Sequence, residues 1–315
     1  MGGGSDLPVF YREFGGAVVS TAIDKFVYVS VNKKFDDKIR ISYSKTEEAK
    51  SVAKIKHPLV RESMKLLGIH GGVEITSIAD IPAKGTGLGS SSSFTVGLLN
   101  ALHAFASRHA SADKLARESC EIEIDLCHEP IGKQDQYAAA FGGFSFIQFN
   151  SNDSVSVEPI ICRRETLQQL ENNLLVFYTG ITRSASAILK TQGHAIATQK
   201  AKQKTMVKMV ELAWKLKTEL QKNNLAAFGE IIHENWLLKR SLVSAVSNEA
   251  IDSWYKRARK AGAVGGKLLG AGSGGFLMFY APQEKHESIR HALKELRPIH
   301  LGFEPHGSKI IFVHE

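Results

Sequence analysis

Apolar residues cluster and partly alternate over Gly16 to Val31 (GAVVSTAIDKFVYVSV), which predicts one or two buried strands, and a further strand is expected at Gly72 to Ile78. From Ser90 to Arg108 the apolar positions recur at helical intervals directly after a glycine-rich loop, and Ala112 to Cys127 predicts a second helix. Gly142 to Phe149 and Leu174 to Gly180 read as strands with a short helical segment between them. Ser184 to about Leu242 is helical and lysine-rich, broken near Asn223 and Asn224. Its Lys200, Lys202, Lys204, Lys208, Lys215 and Lys217 are expected on a solvated face. A helix at Asn248 to Ala261, a glycine-dense turn at Lys267 to Phe276, a strand, a helix at Glu284 to Leu296 and a C-terminal strand KIIFVH complete an α+β order.

At 315 residues the chain exceeds the usual single core, and a boundary near residue 160 divides it into 1–160 and 161–315. With 43% hydrophobic and 23% charged residues it is globular, which excludes wholesale disorder. No apolar run reaches the roughly 18 residues a membrane span needs. The start, MGGGSDLPVF, lacks the basic and apolar regions of a leader, so the expected address is the cytoplasm. Three cysteines without a CxxC pair suggest reduced thiols rather than a disulfide framework or a thiolate zinc site. The net charge of +8 favours anionic ligands, but no motif supports nucleic-acid binding.

The segment Pro82 to Ser93, PAKGTGLGSSSS, joins permissive glycine backbone to hydroxyls at a helix start, where unpaired amides and the positive dipole end attract phosphate. A serine hydroxyl there can complete a magnesium shell, while turns and helix caps use the same residues structurally. It is not a Walker A loop. In EIDLCHEPIGKQDQYAAAFGG, Glu123 and Asp135 flank a turn forced by Pro130 and Gly132, so two acids can converge. Phosphoryl transfer needs such a pair, one to hold a metal and one to orient or deprotonate the acceptor. The alternative is a helix-surface glutamate and an exposed loop aspartate. Glu121, Asp125 and Glu129 read as surface charges and His128 as a structural hydrogen-bonding residue.

The order Pro, Gly-Leu-Gly, Ser-Ser and amphipathic helix resembles the signature of the GHMP kinases, the family of galactokinase and of homoserine, mevalonate and phosphomevalonate kinases. IGKQDQYAAAFGG, WLLKRSL and GGKLLGAGSGG extend the resemblance, as does the opening GGGSDLP. It implies a two-domain α+β GHMP kinase fold, with an N-terminal domain like domain 2 of ribosomal protein S5 and a ferredoxin-like C-terminal domain. It further implies ATP and Mg2+ as cofactors. Gly85, Gly87, Leu88, Gly89, Ser90, Ser91, Ser92, Gly270, Gly272 and Ser273 would then cradle the nucleotide. Glu123 and Ser91 would hold magnesium, with Ser90 as the alternative hydroxyl, and Asp135 would be the catalytic base. Gly4, Ser5 and Asp6 would meet the substrate, unless Ser5 or Asp6 merely caps a short helix. Lys133, Arg183, and Lys239 or Arg240 are candidates for a distal substrate phosphate.

Within the family the chain most resembles the D-glycero-D-manno-heptose 7-phosphate kinases, with fucokinases next. The expected reaction is therefore phosphorylation of the anomeric C1 hydroxyl of a sugar or sugar phosphate, the heptose 7-phosphate giving the 1,7-bisphosphate. The alternatives are a fucokinase-like or galactokinase-like sugar 1-kinase, or a weakened sugar- or nucleotide-binding protein on the same fold. One departure stands out: in the family a strand of the type Pro-Leu-Arg precedes GGGSD, whereas Met1 here stands against Gly2. That first strand and its cation are expected to be missing from the chain.

Overall fold

The apolar run from Gly16 folds as two strands, β1 (Gly16–Ile23) and β2 (Val27–Lys33). They serve different parts of a computed structural model that describes residues 4–81, 87–182 and 185–314. The chain divides into two compact units. One comprises Met1–Thr21, Lys84–Leu88 and Phe144–Phe303, and the other Ala22–Ala83, Gly89–Gly143 and Glu304–Glu315. Both are discontinuous in sequence.

In the second unit β2 pairs antiparallel with β5 (Val73–Ala79). Strand β5 pairs in parallel with β3 (Ile39–Ser42), and β4 (Thr46–Ala49) closes the order β2–β5–β3–β4. Helix α3 (Ser90–Phe105) buries Val96, Leu98, Leu99 and Leu102, and it lies against β2, where a Cβ at Gly97 would meet Val29 at 3.6 Å. Helices α2 (Pro58–Leu67), α4 (Ala112–Cys120) and α5 (Gln134–Phe141) surround α3. The helix expected to run to Cys127 changes character at Glu121. From there to Leu126 the turns are π-helical, and the Cys127 amide donates to the Ile122 carbonyl at 2.9 Å. The widened turn re-aims the side chains that follow Cys120.

The first unit holds two sheets. One has the order β12 (Phe303–Glu304), β1, β6 (Phe144–Phe149), β7 (Val155–Pro159), with Gly16 opposite Phe149 and Thr21 opposite Phe144. The other has the order β11 (Arg297–Ile299), β8 (Leu174–Tyr178), β10 (Phe276–Tyr280), β9 (Gly265–Leu268), paired antiparallel throughout. Leu175, Val176 and Phe177 of β8 point to alternate faces and are all buried, which is why LLVFY reads as an unbroken apolar run. Helices α6 (Arg164–Asn172) and α8 (Lys200–Gln221) cover the first sheet, with Leu212, Leu216 and Leu220 of α8 packed on Ala17, Val19 and Phe146. Helix α9 (Phe228–Leu242) crosses β9 so closely that a Cβ at Gly265 would strike the Gly229 carbonyl. Trp236 of α9 packs with α10 (Glu249–Lys260) and α11 (His286–Ala292) on β8 and β10. Helices α1 (Pro8–Phe14) and α7 (Ala185–Thr198) pack on one another, and Phe10 joins Ile196, Met206 and Met209.

Three expectations are corrected. KIIFVH forms no strand: 309–314 has no ladder partner among the described residues, and Ile311, Phe312 and Val313 are exposed. A strand without a neighbouring edge has nowhere to place its backbone hydrogen bonds. The helix expected at Glu284 to Leu296 is confined to α11 with one 3-10 turn before it. Lys217 leaves the solvated face of α8; it is buried, donates to Glu158 at 2.6 Å and lies 4.5 Å from the Phe146 ring centre. The break at Asn223 forms as expected, with its side-chain oxygen accepting from the Arg163 amide at 2.7 Å and the Thr166 hydroxyl at 2.9 Å.

Gly142 occupies the left-handed region (φ +68), and a Cβ there would collide with the backbone of His306 and Gly307. Gly142→Ala is therefore expected to destabilise the protein by about 2 kcal/mol or more, read as a lower urea midpoint. An unchanged midpoint would show that 304–308 detaches without consequence.

Candidate active site

Helix α3 begins at Gly89 in the left-handed conformation (φ 70), with no side chain capping its first turn. The orphan amides and positive dipole end of such a terminus form an anion-attracting face. Ser91 and Thr95 lie one turn apart on this helix and Ser92 is adjacent. All three turn toward Glu123, which the π-helical turn carries inward until it is 1% exposed. Ser91 donates to Oε1 at 2.9 Å and Thr95 to the same oxygen at 3.1 Å. Ser92 donates to Oε2 at 2.7 Å, and the Gln136 amide of α5 reaches the same oxygen at 2.5 Å. Burial nevertheless raises the Glu123 pKa above the usual carboxylate value, against the opposing pull of Ser92, Ser91, Gln136 and Thr95.

Asp135 stands in the first turn of α5, directly beside the start of α3: a Cβ at Gly89 would be 3.3 Å from its Cγ. The start of α3 and the IGKQDQ segment, distant in sequence, thus meet within one unit. Ser90 opens α3, and Lys133 immediately precedes α5. His128 adopts a left-handed backbone (φ 56) beyond the π turn, and the Glu129 amide bonds the Glu123 carbonyl at 3.0 Å. This segment is a backbone turn that holds Glu123 in place.

The donor set fits magnesium. Ser91 Oγ and Glu123 Oε1 are hard oxygen donors of the kind magnesium takes, held 2.9 Å apart by the hydrogen bond between them. Magnesium ordinarily takes one or two carboxylates and completes its shell with water and substrate phosphates.

The other part of the loop belongs to the first unit. Gly87 (φ 75) and Gly270 (φ 73) face one another backbone to backbone; a Cβ at Gly87 would be 2.7 Å from the Leu269 carbonyl, and one at Gly270 would strike Gly87. Leu88 follows in the same unit. The glycine-dense run joins the antiparallel strands β9 and β10, but its interior is not a plain chain reversal. A Cβ at Gly272 would be 2.7 Å from the Val246 carbonyl, and Ser273 (φ 59) spends its amide on Val246 and its hydroxyl on the Ala245 carbonyl. Lys239 donates to the Gly270 carbonyl, whereas Arg240 pairs with Asp252 at 2.6 Å. At the opening, Gly4 (φ 100) precedes Ser5, whose hydroxyl bonds the Ala17 carbonyl at 3.0 Å, and Asp6 is buried. Neither caps α1, whose N-cap is Leu7. Gly85 and Arg183 lie outside the described residues.

Three residues escaped the sequence reading: Thr95, Gln136 and Lys267. Thr95 was signalled by its spacing of four from Ser91 on one helix. Gln136 is the immediate neighbour of Asp135, and nothing in the pattern marked it. Lys267 was hidden because the expected turn starts two residues early: Lys267 and Leu268 still belong to the buried strand β9.

The fold and the two glycine loops define a kinase of the GHMP class. The model of the GHMP kinases N terminal domain matches residues 49–143 and that of the GHMP kinases C terminal domain residues 216–298. The chain belongs to this family and is an enzyme that transfers a phosphoryl group to an alcohol. It is 28% identical to D-glycero-alpha-D-manno-heptose 7-phosphate kinase from Campylobacter jejuni, across 93% of this chain and 90% of that one. A crystal structure titled D-glycero-D-manno-heptose 1-phosphate kinase, from Bacteroides thetaiotaomicron, superposes with a TM-score of 0.79 at 27% identity, covering 97% of this chain and 93% of that one. The bifunctional fucokinase/GDP-fucose pyrophosphorylase of Arabidopsis thaliana is 25% identical over 94% of this chain but only 30% of its own length. No helix among the described residues is long and apolar enough to cross a membrane.

An acid whose folded pKa is raised binds more protons folded than unfolded between its two pKa values. Its contribution to stability is full below the unfolded value and falls as pH rises through the folded one. In metal-free protein Glu123→Gln is therefore expected to raise the melting temperature at pH 8, with the difference narrowing toward pH 4.5. The new amide is accommodated because the buried Gln136 Oε1, which lacks a hydrogen-bond partner among the described residues, can turn to accept from it. A variant that melts lower at pH 8 would overturn this account.

Proposed function

We propose that the protein is a cytoplasmic, ATP-dependent and Mg2+-requiring sugar kinase that phosphorylates the anomeric C1 hydroxyl of a heptose phosphate, converting D-glycero-D-manno-heptose 7-phosphate to the 1,7-bisphosphate. The observation that carries this reading is the placement of Asp135 against Gly89, at the uncapped N-terminus of a helix whose Ser91 meets Glu123. A proton acceptor, an anion-attracting terminus and a magnesium-compatible pair there share one corner of the second unit. The likeness to a heptose 7-phosphate kinase over nearly the whole of both chains supports the substrate class.

In this reading Gly85, Gly87, Leu88, Gly89, Ser90, Ser91 and Ser92, with Gly270, Gly272 and Ser273, form the nucleotide cradle. Backbone amides dominate there because a side chain at Gly87 or Gly270 would fill the space. Ser91 and Glu123 hold the metal, which supplies charge neutralisation at the phosphates. Asp135 accepts the C1 hydroxyl proton as that oxygen bonds to the γ-phosphorus and ADP leaves. Gly4, Ser5, Asp6, Lys133 and Arg183 are assigned to the substrate. Ser5 serves there as a brace for the opening, since its hydroxyl is engaged by Ala17. Residues 1–160 and 161–315 are proposed as the two family domains.

The relatives are named for heptose phosphates that differ in the position of the phosphate, so the product decides. Incubation of the heptose 7-phosphate and of unphosphorylated fucose and galactose with MgATP, followed by 31P NMR, is expected to give an anomeric phosphate from the heptose only. Asp135→Asn is expected to lower kcat by about 10²–10⁴ while the KM for ATP moves less than about threefold. Near-complete turnover by that variant would remove Asp135 as the base.

A further inference from the structure

The four donors around the Glu123 carboxylate divide its two oxygens unequally. Ser91, the one exposed residue among them, and Thr95 donate to Oε1. Ser92 and Gln136, which are 3% and 0% exposed, donate to Oε2 at 2.7 and 2.5 Å. The Oε1 pair can let go: Thr95 Oγ1 also lies 3.1 Å from the Ser91 carbonyl, a second acceptor on its own helix for its single proton, and the Ser91 hydroxyl can turn to water. The Oε2 pair has no other acceptor among the described residues. An ionised carboxylate only accepts hydrogen bonds, so the Gln136 amide must turn its NH2 toward it. Its own Oε1 is then buried without a partner among the described residues. An acceptor left unmet in the interior costs free energy that an apolar side chain of the same size would not, which singles out the bond to Glu123 as what this glutamine supplies.

We propose that Gln136 is a positioning residue that, with Ser92, pins Oε2 of Glu123, so that Oε1 is the oxygen presented to the metal ion and Asp135 is kept in step with it. The proposal rests on the reading of Ser91 and Glu123 as the metal holders and of Asp135 as the base. Gln136 and Asp135 are consecutive in the first turn of α5. One reaches Glu123 and the other stands at the start of α3, where a Cβ at Gly89 would be 3.3 Å from its Cγ. The contacts close a ring, from Gly89 along α3 to Ser91, across to Glu123, on to Gln136, and through Asp135 back to Gly89. A carboxylate held at one oxygen by two buried donors cannot swing its other oxygen away, which is the service that outer partners give a metal ligand. Without the Gln136 donor, both the carboxylate and the first turn of α5 lose that constraint.

The test uses Gln136→Met, which keeps the volume and removes the donor. Ser92→Ala is the second variant, Thr95→Val the contrast, and Glu123→Gln the control for the metal reading. Mn2+ affinity of the ADP-saturated protein is measured by electron paramagnetic resonance, and ADP affinity without metal by calorimetry. Turnover of the heptose 7-phosphate is measured at saturating metal and MgATP. Gln136→Met is expected to weaken Mn2+ binding by about 10- to 100-fold and Ser92→Ala to weaken it too, whereas Thr95→Val changes it by less than about threefold. Metal-free ADP binding is expected to hold in all three. The kcat of Gln136→Met is expected to stay at least about tenfold down at saturating metal, because more cation does not realign a displaced base. Unchanged Mn2+ affinity in Gln136→Met, an equal loss in Thr95→Val, or full recovery of kcat at saturating metal overturns the proposal. Should Gln136→Met fail to fold, Ser92→Ala against Thr95→Val carries the same comparison. If Glu123→Gln binds Mn2+ as wild type does, the metal reading fails and the proposal with it; if it loses Mn2+ while Gln136→Met does not, only the proposal fails. If the wild type turns over none of the sugars, the substrate reading fails and the Mn2+ affinities decide.

Discussion

One buried carboxylate sets the geometry of the second unit. Glu123 draws Ser91, Ser92 and Thr95 from α3 and Gln136 from α5, while its own backbone belongs to the π-helical turn that continues α4. Three helices are thereby fixed to one side chain. A carboxylate cannot be taken from water without such donors, so position and solvation are one requirement here. The donors do not meet it fully, because burial still outweighs them and the pKa stays raised. That residual deficit is one a divalent cation would meet, in keeping with the proposed role of Ser91 and Glu123 as its ligands.

The first unit is organised by glycine backbone instead. Gly229 and Gly265 let α9 approach β9, and Gly87 and Gly270 let two loops touch without intervening side chains. Close approach of this kind leaves no room for a side chain between the two backbones. It also brings the end of α9 near the β9–β10 loop, which is how two lysines come to be buried together. The serine of that loop is used differently from the glycines: both its polar backbone and side-chain groups go to Ala245 and Val246. Ser273 shapes the loop.

The amino-acid pattern carries most of the element types but little of their partnership. Strands β1, β6, β8 and β10 and helices α3, α8, α9 and α10 are legible because their apolar periods are strong and long. The short strands β3, β4 and β9 are not, since a four-residue strand has almost no period to detect. KIIFVH reads as a strand from composition, yet a strand exists only with a neighbour, and neighbours are a tertiary fact. The same limit applies to the site. Glu123 and Asp135 are recognisable from the turn between them, and the Ser-Ser pair from its place at a helix start. Thr95 and Gln136 become visible only when the helices are assembled, and the π turn that aims Glu123 is silent in the sequence. Lys217 shows the converse: a lysine in a basic helix that the fold buries against Phe146 and Glu158.

The two units thus each contain a charge held against its own preference. Burial pushes Glu123 toward its neutral acid form and Lys267 toward its neutral amine form. A charged group is costlier to bury in either place than a hydrophobic side chain of similar volume. The direction of each perturbation is informative, because a cation beside Glu123 and an anion beside Lys267 are the species that would restore the charged forms.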